Sequence, residues 1–362
     1  LGELGPRATL LRTTRDSARA RSGLVLTVDL GHQDGDLGMA RADRARLDFT
    51  ALRELGYSVV VPYEFELAIG ASALDSIRHE FPQVELLAAN VRARDTTLLS
   101  RRRMITHSAV RLGIVGLVNA TVRDRLPRAA LADFTFESPT VAARREVARL
   151  RAEGATAVVV LSNMDAADNA QLAQEVSGID AIVADLPVRW APEATSVRVE
   201  LPERPFARPG APALVARSAA NGLGIGHLRL EFRAAPGGAA PFLAAVEHRL
   251  ASVTDRIAPD TALVRQIAAL ATVARRPRGE LMFPAFVDLA DRHPDLRGFD
   301  EITAQGRVSK RMWEAFMARL LRLQGRAEVA VIRRLDQFPP LIGKLHENEI
   351  GAWLWTEDQV VL

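Results

Sequence analysis

The chain has 362 residues, 48% hydrophobic and 25% charged, which suggests roughly two domains with real cores. It has no cysteine, which excludes disulfides, thiolate metal sites and attached haem, and no apolar run of ~18 residues that could span a membrane. Net charge is only +3. Lys310 and Lys344 are the sole lysines among 47 basic residues, so arginine explains the high sequence pI without pointing to nucleic acid.

The first residues, LGELGPRATLL, lack the cationic start and hydrophobic segment of a signal peptide, and Leu1 is read as an internal or processed start. GLVLTVDL (Gly23 to Leu30) is a short apolar run that predicts a buried strand. Residues Ala40 to Leu55 predict a helix with Leu47, Phe49, Leu52 and Leu55 on its apolar side and Gly56 as its stop. Strands are expected at Tyr57 to Val61 and Val84 to Asn90, with a helix from about Ala68 to Phe81 between them. Arg102 to Thr106 and Val110 to Leu117 read as a hairpin. Arg101 to Arg103 form the one tight basic cluster, read as a solvated hairpin tip rather than a contact for an anionic partner.

A helix follows from Ser138, with Ser138 as its cap, Pro139 in its first turn and Gly154 as its end. Then come a strand at Thr156 to Ser162, a helix near Asn169 to Val176 and a strand at Ile179 to Ala184. Further strands are expected near Ser196 to Leu201, Ala213 to Ser218 and Gly226 to Phe232. This alternation predicts an α/β layered domain. RAAPGGAAP (Arg233 to Pro241) reads as a boundary. Beyond it, amphipathic helices are expected at Pro241–Val253, Thr261–Val273 and Lys310–Leu323, before a final strand-loop-helix stretch.

Several segments, in order, resemble the 5′-nucleotidase family of calcineurin-like metallophosphoesterases. VLTVDLGHQDGD resembles a strand ending D-A-G-D, and LRELGYSVVVPYEFELAIG a segment whose core reads G-N-H-E-F-D. LLAANV and VRLGIVGLVN resemble the next strand and hairpin. ARLRAEGATAVVVLSNMDAADNAQLAQEVSGIDAIVADLP resembles a run containing an L-S-H strand end and finishing G-G-H-S-H. GELGPRATLLRTTR, VARSAANGLGIGHLRLEF and AEVAVIRR also have counterparts. The resemblance implies a metallophosphoesterase-like layered sandwich, two β-sheets flanked by helices, over residues 1–233. A helical linker over 234–325 and an incomplete start of a C-terminal domain over 326–362 complete the expected organisation.

The chemistry implied is two-metal phosphoester hydrolysis, with carboxylate and imidazole ligands at strand ends. Position by position, the bridging aspartate falls on His32, and the asparagine and catalytic histidine of the second motif on Pro62 and Tyr63. The L-S-H histidine falls on Asn163, and the last two histidines on Leu186 and Val188. Glu64 and Phe65 are retained but are not metal ligands in the family. Proline, leucine and valine side chains hold no donor atom, so a metal pair would be undercoordinated.

His32, Asp34 and Asp36 share one loop, read as a solvated acidic turn; a shifted alignment would instead place Gly35-Asp36 on the family's glycine-aspartate pair. Asn163, Asp165 and Asp168 form a polar group, or serve as helix caps and loop residues. Tyr63 and Glu64 line the same edge, or pack. No histidine pair has ligand spacing, and GLGIG (Gly222 to Gly226) lacks the dinucleotide pattern. Arg333-Arg334-Leu335-Asp336 departs from the family's N-A-G-G-like loop. Trp353 and Trp355 form a packed face or an interface.

The resulting expectation is a non-catalytic relative acting as a binding or structural component of an extracytoplasmic assembly, periplasmic or extracellular by resemblance alone. It carries no metal and no cofactor, its partners are other protein subunits, and it has no nucleic-acid ligand and no membrane span. The alternative is a divergent hydrolase using His32, Asp34, Asp36 and Asn163 with a single divalent cation such as Mn or Zn.

Overall fold

In the computed structural model the described residues are 4–31, 41–94, 97–185, 196–200, 213–218, 224–235, 237, 240–254 and 256–274, with four short strands beyond. The chain divides into two compact units, Leu1–Asp34 with Ala45–Ala268, and Gly35–Arg44 with Ala269–Leu362.

The first unit opens with α1 (Leu4–Arg19) and β1 (Val28–Asp29). Next comes α2 (Arg41–Glu54), where Ala45, Phe49 and Leu52 recur at helical spacing and are buried. Burying Phe49 or Leu52 contributes roughly 1.5–3 kcal/mol each. Gly56 (φ +71°) ends the helix in the left-handed region, and the Arg15 guanidinium donates to the Leu55 carbonyl and to Thr27 Oγ1 (2.9 Å). β2 (Val59–Val60), α3 (Glu64–Ala68), α4 (Ala71–Glu80) and β3 (Glu85–Leu86) follow. β1, β2 and β3 pair in parallel, each far shorter than the apolar run containing it.

β4 (Val91–Ala93) pairs with β7 (Phe134–Phe136) as a separate ribbon. Between them lie β5 (Arg102–His107), β6 (Val110–Leu117), α5 (Val122–Arg125) and α6 (Arg128–Leu131). The predicted hairpin is present as β5 and β6. α7 (Pro139–Ala152) has Ser138 at its N-cap, but the serine side chain makes no capping bond, and Pro139 leaves one fewer N–H to satisfy there. β8 (Ala157–Ser162) is buried at every position, as an apolar run between two parallel neighbours must be. α8 (Ala166–Glu175) starts earlier than predicted, and β9 (Ala181–Asp185) follows.

β10 (Ser196–Glu200), β11 (Leu214–Ser218), β12 (Gly224–Arg233), β13 (Phe242–Ser252) and α9 (Thr261–Ala274) complete the run. The main sheet has the order β11-β9-β8-β6-β5, parallel except for the β5 edge. Leu150, Val147, Leu172 and Val176 from α7 and α8 pack with Val158, Val160 and Ile182 of the sheet in one core.

The helix expected at Pro241–Val253 is a correction. The segment is β13, the central strand of an antiparallel sheet ordered β10-β13-β12. Its alanines and leucines favour a helix locally, but two flanking strands supply ladder partners on both edges, and tertiary pairing outweighs propensity. The boundary expected at Arg233 to Pro241 therefore connects two paired strands. The Arg101–Arg103 cluster is also placed differently. It lies at the start of β5, where Arg102 pairs with Glu146 (2.9 Å) and Glu153 (2.6 Å) and Arg103 with Glu85 (3.2 Å), while the turn falls at Ser108.

Of the second unit, the described residues beyond α9 are β14 (Arg307–Val308) paired with β16 (Leu341–Ile342) and β15 (Ala330–Val331) paired with β17 (Val360–Val361). The helix expected at Lys310–Leu323, the loop at Arg333-Arg334-Leu335-Asp336 and the pair Trp353 and Trp355 lie outside the described residues. Among the described residues no helix is long and apolar enough to cross a membrane.

Candidate functional site

Sites in parallel α/β sheets form beyond the carboxyl ends of the strands. Five such ends are tied together here. Ala89 N–H donates to the Gly116 carbonyl (2.7 Å), which carries the chain after β3 alongside β6. Asn90 then grips Val118 twice: its Nδ2 donates to the Val118 carbonyl and its Oδ1 accepts from the Val118 N–H, both at 2.8 Å. The next residue, Asn119, donates its N–H to Asn163 Oδ1 (2.8 Å). Asn163 Nδ2 in turn donates to the carbonyls of Leu30 (3.0 Å), after β1, and Pro62 (3.2 Å), after β2. Asn90, Asn119 and Asn163 are all buried. A buried amide is costly to leave unbonded, so bonds of this kind stabilise its position.

The loops between these ends are equally close-packed. Asp29 Oδ1 accepts from Gly31 N–H (2.8 Å). Gly31 has φ +75°, and a Cβ there would meet Tyr63 Cβ at 2.7 Å, so the turn after β1 needs glycine for both reasons. Pro62 leads into α3, where Glu66 Oε2 accepts from Tyr63 N–H (2.9 Å). Burial, with Asp29 and Asp48 nearby, pushes the Glu66 carboxyl up to about 7 against the pull of the Tyr63 bond. Burial likewise raises Tyr63, partly offset by Arg125. The Arg125 guanidinium stands 3.5 Å from both Tyr63 Oη and Glu64 Oε2.

Of the sequence candidates, Tyr63, Glu64 and Asn163 come to this edge and are buried. Asp165 sits at the N-cap of α8 with no side-chain capping bond, and Asp165 and Asp168 are exposed. His32, Asp34, Asp36, Leu186 and Val188 lie outside the described residues. Sequence reasoning missed Asn90, Asn119, Glu66 and Arg125. The asparagines had a legible signal, since three apolar runs each end on one: AAN, LVN and LSN.

A two-cation centre needs several anionic or imidazole donors converging within a few ångströms. At the described positions the resemblance implies for its ligands, Pro62 offers no side-chain donor and both amide protons of Asn163 already point at carbonyls. Among the described residues no group of three or more His, Asp or Glu could hold a metal ion. The described residues alone therefore do not fit a metal pair.

No family model matches the chain. Over 147 residues it is 26% identical to a protein named "Probable 5′-nucleotidase" of Treponema pallidum, a match covering 39% of this chain and 24% of that protein. Among solved structures, it is similar to the sulfate thiohydrolase SoxB of Thermus thermophilus (TM-score 0.59, 19% identity, 77% of this chain and 48% of that one). It is also similar to a 5′-nucleotidase precursor from Thermus thermophilus (0.58, 21%, 77% and 54%). A third likeness is to the calcineurin-like phosphoesterase YfkN from Bacillus subtilis (0.57, 15%, 75% and 88%). The chain thus spans about half the length of the first two structures and matches about a quarter of the curated relative. In sequence and in three dimensions the chain is similar to the 5′-nucleotidase-type, calcineurin-like phosphoesterases, and it has their fold.

Proposed function

We propose that the protein is a non-catalytic relative on the 5′-nucleotidase-type scaffold, serving as a binding or structural component of an extracytoplasmic assembly with other protein subunits. The observation that carries this reading is Asn163. It stands where the resemblance places a metal-binding histidine, and its hydrogen-bonding groups are spent on the backbone of three neighbouring segments. Pro62, at another such position, adds no donor. Function lives in the site and not in the fold, so a scaffold without the ligand set would serve recognition rather than turnover. The location outside the cytoplasm rests on the resemblance alone.

The test is purified protein with Mn²⁺ or Zn²⁺, assayed against nucleotides and p-nitrophenyl phosphate beside elemental analysis. No turnover and no stoichiometric metal are expected. Metal-dependent hydrolysis abolished by His32→Ala would overturn the reading. It would favour a divergent phosphoesterase using His32, Asp34 and Asp36, an alternative supported by the name of the Treponema relative and by the acidic loop sequence.

A further inference from the structure

We propose that the Asn163 carboxamide is the fastener of the strand-end rim, holding the ends of β1, β2, β6 and β8 in register without any bound cation. The inference rests on the reading of this edge as free of a metal pair.

A primary amide has two N–H donors and a carbonyl acceptor on one planar group. At Asn163 both donors are used, on the Leu30 and Pro62 carbonyls, and the acceptor receives the Asn119 N–H. The main chain adds a fourth link, Asn163 N–H to the Leu117 carbonyl (3.3 Å). Its three side-chain partners are backbone atoms 133, 101 and 44 positions away in sequence. The amide orientation follows from chemistry, since the flipped group would set its oxygen against two carbonyls and its NH₂ against an N–H.

No other residue type at this position does the same work. A neutral imidazole has one donor and one acceptor, so histidine serves at most two of the three partners. Aspartate is nearly isosteric but, ionised, has no donor for either carbonyl. Protonated, it regains one.

That difference supplies the test. Thermal midpoints of the full chain are measured for wild type, Asn163→Ala and Asn163→Asp from pH 4 to pH 8, with EDTA and then with Mn²⁺ or Zn²⁺. Asn163→Ala should lower the midpoint by roughly 5–10 °C, because two buried carbonyls and one N–H lose their partners. Asn163→Asp should fall at least as far at pH 8 and recover towards wild type as the pH drops. A side chain that merely fills space would give Asn163→Asp a profile parallel to wild type, and that result would overturn the proposal. So would an Asn163→Ala midpoint equal to wild type.

Should neither variant fold at pH 8, amide exchange of wild-type Asn119 decides. Slow exchange supports the fastener, and exchange at the rate of an exposed amide rejects it. A wild-type midpoint raised by Mn²⁺ or Zn²⁺ and not raised in Asn163→Ala would also overturn it, since the side chain would then serve a cation. A metal-induced rise that persists in Asn163→Ala, beside the expected Asn163→Asp profile, supports the fastener while counting against the non-catalytic reading.

Discussion

Two regions of the first unit bury polar groups by opposite means. At the strand ends, the neutral carboxamides of Asn90 and Asn163 bond to backbone atoms. On the face where α7 meets β5, the buried Glu146 is ringed by Arg145 (2.7 Å), Arg102 (2.9 Å) and Arg149 (3.2 Å). Arg145 also makes a two-pronged pair with Glu137 (2.8 and 2.9 Å). Burial alone would raise Glu146, but Arg145, Arg102 and Arg149 outweigh it and hold the carboxyl below its usual range. Glu66 combines features of both regions. It is a buried carboxyl at the strand ends, bonded to one backbone N–H and without an ion pair among the described residues, and it moves up instead. Depth therefore does not decide a buried carboxyl's state here; the neighbouring cations do.

The largest effect is expected at the charged knot. Glu146→Ala removes the buried partner shared by three guanidinium groups, of which Arg145 keeps Glu137 and Arg102 keeps Glu153, and should cost roughly 3 kcal/mol in chemical denaturation. A cost below about 1 kcal/mol would mean that solvent reaches the arginines well enough to make the ring dispensable. Next comes Asn90→Ala, which orphans the N–H and carbonyl of Val118 together and should cost about 2–3 kcal/mol. Its loss should be insensitive to salt, whereas that of Glu146→Ala should shrink in high salt. Equal salt dependence would erase the contrast between the regions.

The smallest effect is also the most diagnostic in sign. Glu66 rises on folding, so the folded state holds its proton more tightly, and stability falls as pH climbs from about 4.5 to about 7. Glu146 has the opposite sign: its contribution is present above the ordinary carboxyl range and is lost towards acid. Glu66→Gln keeps an acceptor for Tyr63 N–H and should stabilise by roughly 2 kcal/mol above pH 7, with little change near pH 4. A pH profile that the substitution leaves unaltered would place the source of any neutral-range slope elsewhere.

Much of the fold was legible where one local rule dominated. The unbroken apolar run of β8 read as a strand, and Pro139 and Gly154 bracketed α7. β13 was misread because FLAAVEHRLAS satisfies a helical pattern as readily as a strand, and only its two ladder partners decide. At the candidate site the identities of Pro62 and Asn163 were informative in sequence, but the carbonyls that Asn163 reaches were not, being set by three loops far apart in the chain. Glu66 and Glu146 gave no signal, since in EFELA and ARREVARL they look like ordinary helix acids.

The meeting of β6 with the chain just after β3 has a consequence for position 116. A Cβ on Gly116 would lie 2.1 Å from the Leu87 carbonyl oxygen and 3.1 Å from Leu87 Cγ, so the two segments meet with no room for a side chain at position 116. Position 116 is closed even to alanine's methyl. Any side chain there would push the Leu87 peptide aside, and with it the chain that leads to Asn90. A hydrogen atom in place of a side chain at position 116 thus keeps the segment leading to Asn90 against the end of β6.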